Sequence, residues 1–115
     1  MTPLVYKLAT AAAWRAGEAA GAFAGSALDR HDGFIHLSTA RQVRETAARH
    51  FAGAADLLLI AIAADGLDVR VERSRGGDQF PHLYGELPMK SVMWTVELPL
   101  GPDGTHLFPP LLPGD

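Results

Sequence analysis

Leu57-Leu-Leu-Ile-Ala-Ile-Ala-Ala64 is a run of eight apolar residues between Asp56 and the pair Asp65-Gly66, and its reading decides the fold. A bilayer crossing takes about 20 such residues, so the run is not a span. Closed off by turn residues, it predicts a central strand covered on both faces. Asp65-Gly66 predicts the turn after it. Beyond the turn, Leu67, Val69 and Val71 alternate with Asp68, Arg70 and Glu72, the pattern of a half-buried strand. Ser91 to Leu98 alternates as cleanly, with Val92, Trp94, Val96 and Leu98 on the core side.

Toward the N-terminus the period changes. Thr39-Ala-Arg-Gln42 has capping-box spacing, and Ala40, Val43, Ala47 and Phe51 recur at helical intervals, predicting a helix to about Gly53 with Arg41, Arg44, Glu45 and Arg49 in water. Before it, Gly33 to Leu37 reads as a short strand and Ser26 to Asp32 as a loop. The Ala-rich stretch after Thr10 predicts a helix capped by Thr10, with Trp14, Gly17 and Gly21 on one side and Gly21 and Gly25 supplying the stop. Pro3 to Ala9 predicts the first strand. The order strand, helix, strand, helix, then several strands is α+β, with two helices after the first and second strands and mixed or antiparallel sheets.

The chain has 115 residues, 48% of them hydrophobic and 20% charged, with a net charge of −3 and no cysteine. No repeat or linker interrupts it, so one domain over residues 1–115 is expected, large enough to bury an apolar core. Five prolines and three glycines between Pro99 and Asp115 exclude a helix or central strand there. Leu107, Phe108, Leu111 and Leu112 make this end an expected strap on the body. Without cysteine there is no disulfide, thiolate metal site or thiol nucleophile. The first residues lack the cationic start of a secretory signal, which predicts a cytoplasmic protein, and an acidic chain has no general grip on nucleic acid.

Three segments carry chemistry. In Asp32-Gly-Phe-Ile-His-Leu-Ser-Thr39, strand alternation sends Phe34, His36 and Ser38 to one face. Ser38 and Thr39 stand where a helix N-terminus could receive an anion; the plainer alternative is two caps and a core histidine. In Glu72-Arg-Ser-Arg-Gly-Gly-Asp78, continued parity would turn Arg73 and Arg75 inward, where they need an anionic partner. Gly76 and Gly77 allow close backbone approach to a ligand, or merely turn the chain. Phe80-Pro-His-Leu-Tyr-Gly-Glu86, read as a loop, offers Tyr84 for stacking, His82 as a donor to phosphate or ribose, and Glu86 for a sugar hydroxyl or as a base; equally, Phe80 and Tyr84 could be core. The five histidines show no helical metal-ligand spacing.

The stretch Asp32 to Ala40, the Gln42-Val43 segment running to Thr46, and Ser74-Arg-Gly-Gly-Asp-Gln-Phe-Pro-His-Leu-Tyr84 resemble the DUF952 family of small bacterial proteins of unknown function. The likeness runs from Tyr6-Lys7 and Trp14, through His50-Phe51 and Leu57, to Leu87-Pro88 and Leu98. It implies a fold similar to the ADP-ribosyltransferase catalytic domain, in which an NAD-type dinucleotide lies in a cleft between two sheets and a glutamate steadies the ribose as its glycosidic bond breaks. The resemblance places His36 to Thr39 at the hydroxyl-rich strand end of those enzymes, and Tyr84 with Glu86 near the strand that supplies the glutamate. The first strand departs from them, with Tyr6-Lys7-Leu8 where they carry histidine or arginine.

The expectations are therefore an enzyme of ADP-ribosyl type, with His36 and Glu86 catalytic and with Ser38, Thr39, Arg73, Arg75, Gly76, Gly77, His82 and Tyr84 binding NAD or ADP-ribose. Two alternatives stand beside it. One is a non-catalytic module for a small anionic or nucleotide-like ligand. The other is a two-histidine phosphoesterase, since His36-Leu-Ser38 fits one of its motifs while His82-Leu-Tyr84 has Tyr in place of a small hydroxyl.

Overall fold

The structure, a computed structural model, describes residues 4–74 and 76–111. Pro3, Arg75 and Leu112 lie outside the described residues. Its organising element is β4 (Leu57–Ala63), the middle strand of a sheet in the order β1-β4-β8, with β1 (Leu4–Thr10) and β8 (Val92–Glu97) both antiparallel to it. The two faces of β4 build two cores. Leu58, Ile60 and Ile62 join Val5, Ala9, Trp14 and Phe23; Leu57, Leu59 and Ala61 join Tyr6, Leu8, Val43 and Ala47. Each fully buried Leu or Ile here contributes about 1.5–3 kcal/mol relative to exposure.

Helix α1 (Ala11–Ala20) covers the first core. Thr10 accepts the Ala13 N–H at its start, and Gly21, at φ 86°, ends it. Gly17 is small for a packing reason, because a Cβ there would stand 2.9–3.0 Å from Phe23. Phe23 belongs to β2 (Ala22–Phe23), which pairs with β7 (Leu87–Pro88). Helix α3 (Val43–His50) covers the second core through Val43 and Ala47. It begins three residues later than the capping-box spacing suggests and ends before Gly53. The Gln42 side chain does accept the Thr39 N–H, but residues 39–42 form a turn rather than helix.

The third sheet, in the order β3-β6-β5, is where sequence pattern and structure part most. β3 is only Ile35–His36, β5 is Val69–Arg73, and β6 is Gln79–Leu83. The Phe80 to Glu86 segment, expected as a loop, thus opens with a central strand. Proline is rare in such a place, and Pro81 explains the short β3: it has no N–H to give, its carbonyl accepts from the Leu37 N–H at 3.0 Å, and pairing stops at His36. β5 is an edge strand with no half-buried alternation; Val71 is 65% exposed. The Ser26 to Asp32 loop is instead helix α2 (Ala27–Asp32), begun by a complete Ser26–Asp29 capping box. The fold is α+β, with three α-helices and wholly antiparallel strand pairs among the described residues.

After β8 the chain turns at Leu100 and His106, whose Nε2 lies 2.7 Å from the Ala54 carbonyl. Phe108 and Leu111 pack on the second core, and the Arg44 guanidinium sits over the Phe108 ring. Leu107 faces solvent. No helix among the described residues is long and apolar enough to cross a membrane.

Candidate functional site

A hollow of about 790 Å³ lies between β1, α2, α3 and the turn leading into β6. Its size is that of a small-molecule site. Two polar clusters reach it.

The first centres on Asp29, whose carboxylate is 2% exposed. The short α2 exists to aim it: Ser26 caps the helix, and the Asp29 side chain returns to the Ser26 N–H at 2.9 Å. Gly25, at φ 105°, allows the approach, since a Cβ there would meet the Asp29 Cβ at 2.8 Å. Asp29 Oδ2 also lies 2.8 Å from Lys7 Nζ, which in turn donates to the His36 carbonyl at 3.1 Å. Asp29 Oδ1 accepts from the His36 N–H at 3.1 Å and faces His36 Nδ1 at 2.6 Å. Burial alone would raise the Asp29 pKa. The His36 hydrogen bond, the Lys7 charge and hydrogen bond, and the Ser26 N–H outweigh it and hold the carboxyl well below the usual carboxylate range. Lys7 is pulled below its ordinary value, burial outweighing the opposing pull of Asp29.

His36 Nε2 is 3.0 Å from Asp32 Oδ2, so both ring nitrogens of His36 face carboxylates. His36 bridges α2 to β3 and leaves no ring nitrogen open toward a ligand in this arrangement.

The second cluster lies across the sheet. His36 and His82 are direct cross-strand partners, their ring centroids 5.7 Å apart. His82, 3% exposed, lines the hollow and is stacked by Phe34 at 4.0 Å between centroids. Its Nδ1 is 2.9 Å from Glu72 Oε1, which also accepts the Tyr84 hydroxyl at 2.6 Å. A carboxylate only accepts, so in neutral His82 the proton sits on Nδ1 and Nε2 carries the lone pair. That Nε2 is buried and has no partner among the described residues; the only other such side-chain atom is Trp14 Nε1, in the first core. The Tyr84 and His82 hydrogen bonds draw the Glu72 pKa below its ordinary value, while the bond to Glu72 raises that of Tyr84. The Arg70 guanidinium lies 4.2 Å over the Tyr84 ring.

Of the residues singled out from sequence, His36, Ser38, Gly76 and His82 line the hollow. Ser38 is buried, its hydroxyl 3.1 Å from that of Thr46, and its backbone pairs with Tyr6. Thr39 is exposed and outside the lining. Arg73 does not turn inward: it is exposed on the edge strand and donates to the Gly77 carbonyl. Gly77 takes φ 91° in the turn, a conformation that suits glycine. Tyr84 contacts Glu72 rather than the hollow. Glu86 is exposed and also outside the lining; the carboxylate that touches His82 and Tyr84 is Glu72. Sequence reading missed Lys7, Asp29 and Glu72. The Ser26-x-x-Asp29 spacing was the available signal for Asp29. Among the described residues no group of three or more His, Asp or Glu side chains could hold a metal ion.

The model of a family described as "Protein of unknown function (DUF952)" matches residues 8–95. The crystal structure of CC0527 from Caulobacter crescentus is 47% identical, with a TM-score of 0.84 over 90% of this chain and 93% of that one. Its solution NMR structure is 48% identical, with a TM-score of 0.81 over 89% and 90%. No curated protein matches the chain. With the family pattern spanning most of its length and a solved relative sharing nearly half its residues, the chain belongs to the DUF952 family.

Proposed function

We propose that the hollow binds a nucleotide-type ligand, NAD-like or ADP-ribosylated, and that His82 is the general base of a hydrolysis or transfer reaction on it. The observation that carries this reading is the His82 ring: Nδ1 is fixed by Glu72, and the buried Nε2 is left with a lone pair and no partner among the described residues, in a residue that lines the hollow. A base needs that division of roles between its two nitrogens. Tyr6, Phe51 and Phe80 offer ring surface to a flat base, and Arg49 and His50 offer donors to phosphate. An α+β fold with antiparallel sheets beside a hollow is compatible with an ADP-ribosyltransferase likeness. Glu72 then takes the place expected of Glu86, and Tyr84 positions Glu72 instead of stacking on the ligand. His36, held at both nitrogens, organises the opposite wall.

A second reading, hydrolysis of cyclic phosphates by paired histidines, is favoured by the placement of His36 and His82 on one rung. It requires Asp32 to release His36 Nε2.

The test is to incubate the protein and a His82→Gln variant with NAD, ADP-ribose or a 2′,3′-cyclic nucleotide, following products by NMR and binding by calorimetry. Turnover by the wild type, with unchanged binding and a rate about 100-fold lower or less in the variant, supports the base. The ligand consumed decides between the two readings. Binding without product identifies a non-catalytic module, and no binding of any of the three overturns the proposal.

A further inference from the structure

Lys7 lines the hollow and carries an amine that the role of His82 leaves unused. Strand parity in β1 puts Lys7 on the face of Val5 and Ala9, both members of the first core, where a charge is costly. The side chain is 6% exposed, and the residue lines the hollow together with Leu8, Ala9, Ala13 and Leu37. An ammonium has three hydrogens to donate. Asp29 Oδ2 and the His36 carbonyl take two.

Asp29 does not depend on Lys7 alone. Its oxygens also accept from the Ser26 N–H, the His36 N–H and the His36 ring, so three donors remain when Lys7 becomes neutral. The hydrocarbon around the amine favours that neutral form, and burial does lower the Lys7 pKa in spite of Asp29. A buried amine whose pKa is drawn down by burial, held in place at the wall of a ligand-sized space, has the setting of a Schiff-base lysine.

We propose that Lys7 forms a Schiff base with an aldehyde or ketone carbonyl of a ligand bound in the hollow. A reducing ribose, whose open form is an aldehyde, is the member of this class that agrees with the nucleotide reading, on which this choice of ligand rests. Lys7 first gives its ammonium proton to water. Its nitrogen lone pair then adds to the carbonyl carbon, and the C=O π pair moves to oxygen. The two remaining amine hydrogens and that oxygen leave as water, and the nitrogen and carbon are joined by a double bond.

The chain has two lysines, Lys7 and Lys90, which makes the test internal to the wild-type protein. Lys90 is exposed and serves as the reference for an ordinary amine. The protein is incubated with D-ribose 5-phosphate and sodium cyanoborohydride, digested, and mapped by mass spectrometry. The expected result is one reduced adduct on Lys7, formed about tenfold faster than on Lys90 or more, and absent from a Lys7→Arg variant that keeps the charge beside Asp29. Adducts on Lys90 and the α-amino group with Lys7 unmodified, or modified no faster, would overturn it. The His82→Gln variant retains the Lys7 adduct if the two sites act separately, so failure of the base and failure of the lysine are read by different experiments.

Discussion

Glu72 Oε1 lies 2.9 Å from Nδ1 of His82 and so fixes which nitrogen of the neutral ring carries the proton. The two residues are ten apart in sequence and meet because β5 and β6 pair with Arg70 opposite His82, which brings position 72 diagonally across the ladder. The same oxygen takes the Tyr84 hydroxyl, so Glu72 is itself held.

Replacing Glu72 by Gln keeps a side chain of the same shape but weakens its hold on the His82 Nδ1 proton. In any reaction that depends on His82, kcat is expected to fall about 10- to 100-fold with KM nearly constant. The 15N chemical shifts of the His82 ring should move as the tautomer preference relaxes. Unchanged shifts and unchanged kcat would show that Glu72 only anchors the edge strand.

Asp29→Asn removes the charge that compensates buried Lys7. Breaking a buried pair from one side costs about 3–5 kcal/mol, and urea unfolding should show the loss directly. Lys7→Met in the Asp29→Asn background should recover part of it, because the buried amine left without its carboxylate is then gone.

The same pair sets an acid limit. The Asp29 pKa is depressed in the folded state, principally by His36 and Lys7 working against burial, so the unfolded chain binds that proton more readily. The stabilisation is complete above the ordinary aspartate value of about 3.9 and is lost as pH falls below it toward the folded value. The urea midpoint of the wild type should therefore drop steeply in that acid window. The Asp29→Asn variant should show a shallower fall, and the gap between the two should narrow.

Gly17→Ala tests the packing of α1. In a free helix the change would stabilise by roughly 1 kcal/mol. Here the new Cβ meets the Cα, Cβ and Cδ1 of Phe23 at 2.9–3.0 Å, and Phe23 is tied into β2 by its pairing with Leu87. A net loss of about 1–3 kcal/mol is expected, seen as a lower Tm. A higher Tm would mean that β2 yields.

Local pattern was enough to find β1, α1, β4 and β8: weak alternation for β1, an Ala-rich stretch between a Thr cap and a Gly stop for α1, an unbroken apolar run for β4 and clean alternation for β8. In β8 alternation coincides with burial, the unbroken apolar run of β4 is buried on both faces, β1 is buried at every interior position, and α1 turns Trp14 and Gly17 inward. Phe34, His36 and His82 were legible as candidates because aromatic and imidazole groups are conspicuous in short segments. Pro81 hid β6, and the capping box of α2 was passed over because six residues give too little periodicity to weigh against a loop.

The sequence by itself determined an α+β chain built on one doubly buried strand, and which imidazoles could matter, because those are properties of neighbours along the backbone. Only the tertiary structure decided that Nε2 of His82 is buried without a partner among the described residues while both ring nitrogens of His36 face carboxylates, that Glu72 rather than Glu86 touches His82, and that Lys7 is buried against Asp29. Those outcomes depend on strand register and on contacts between residues distant in the chain. A lysine in an apolar strand or an aspartate in a short turn carries no local mark of which charge it will meet.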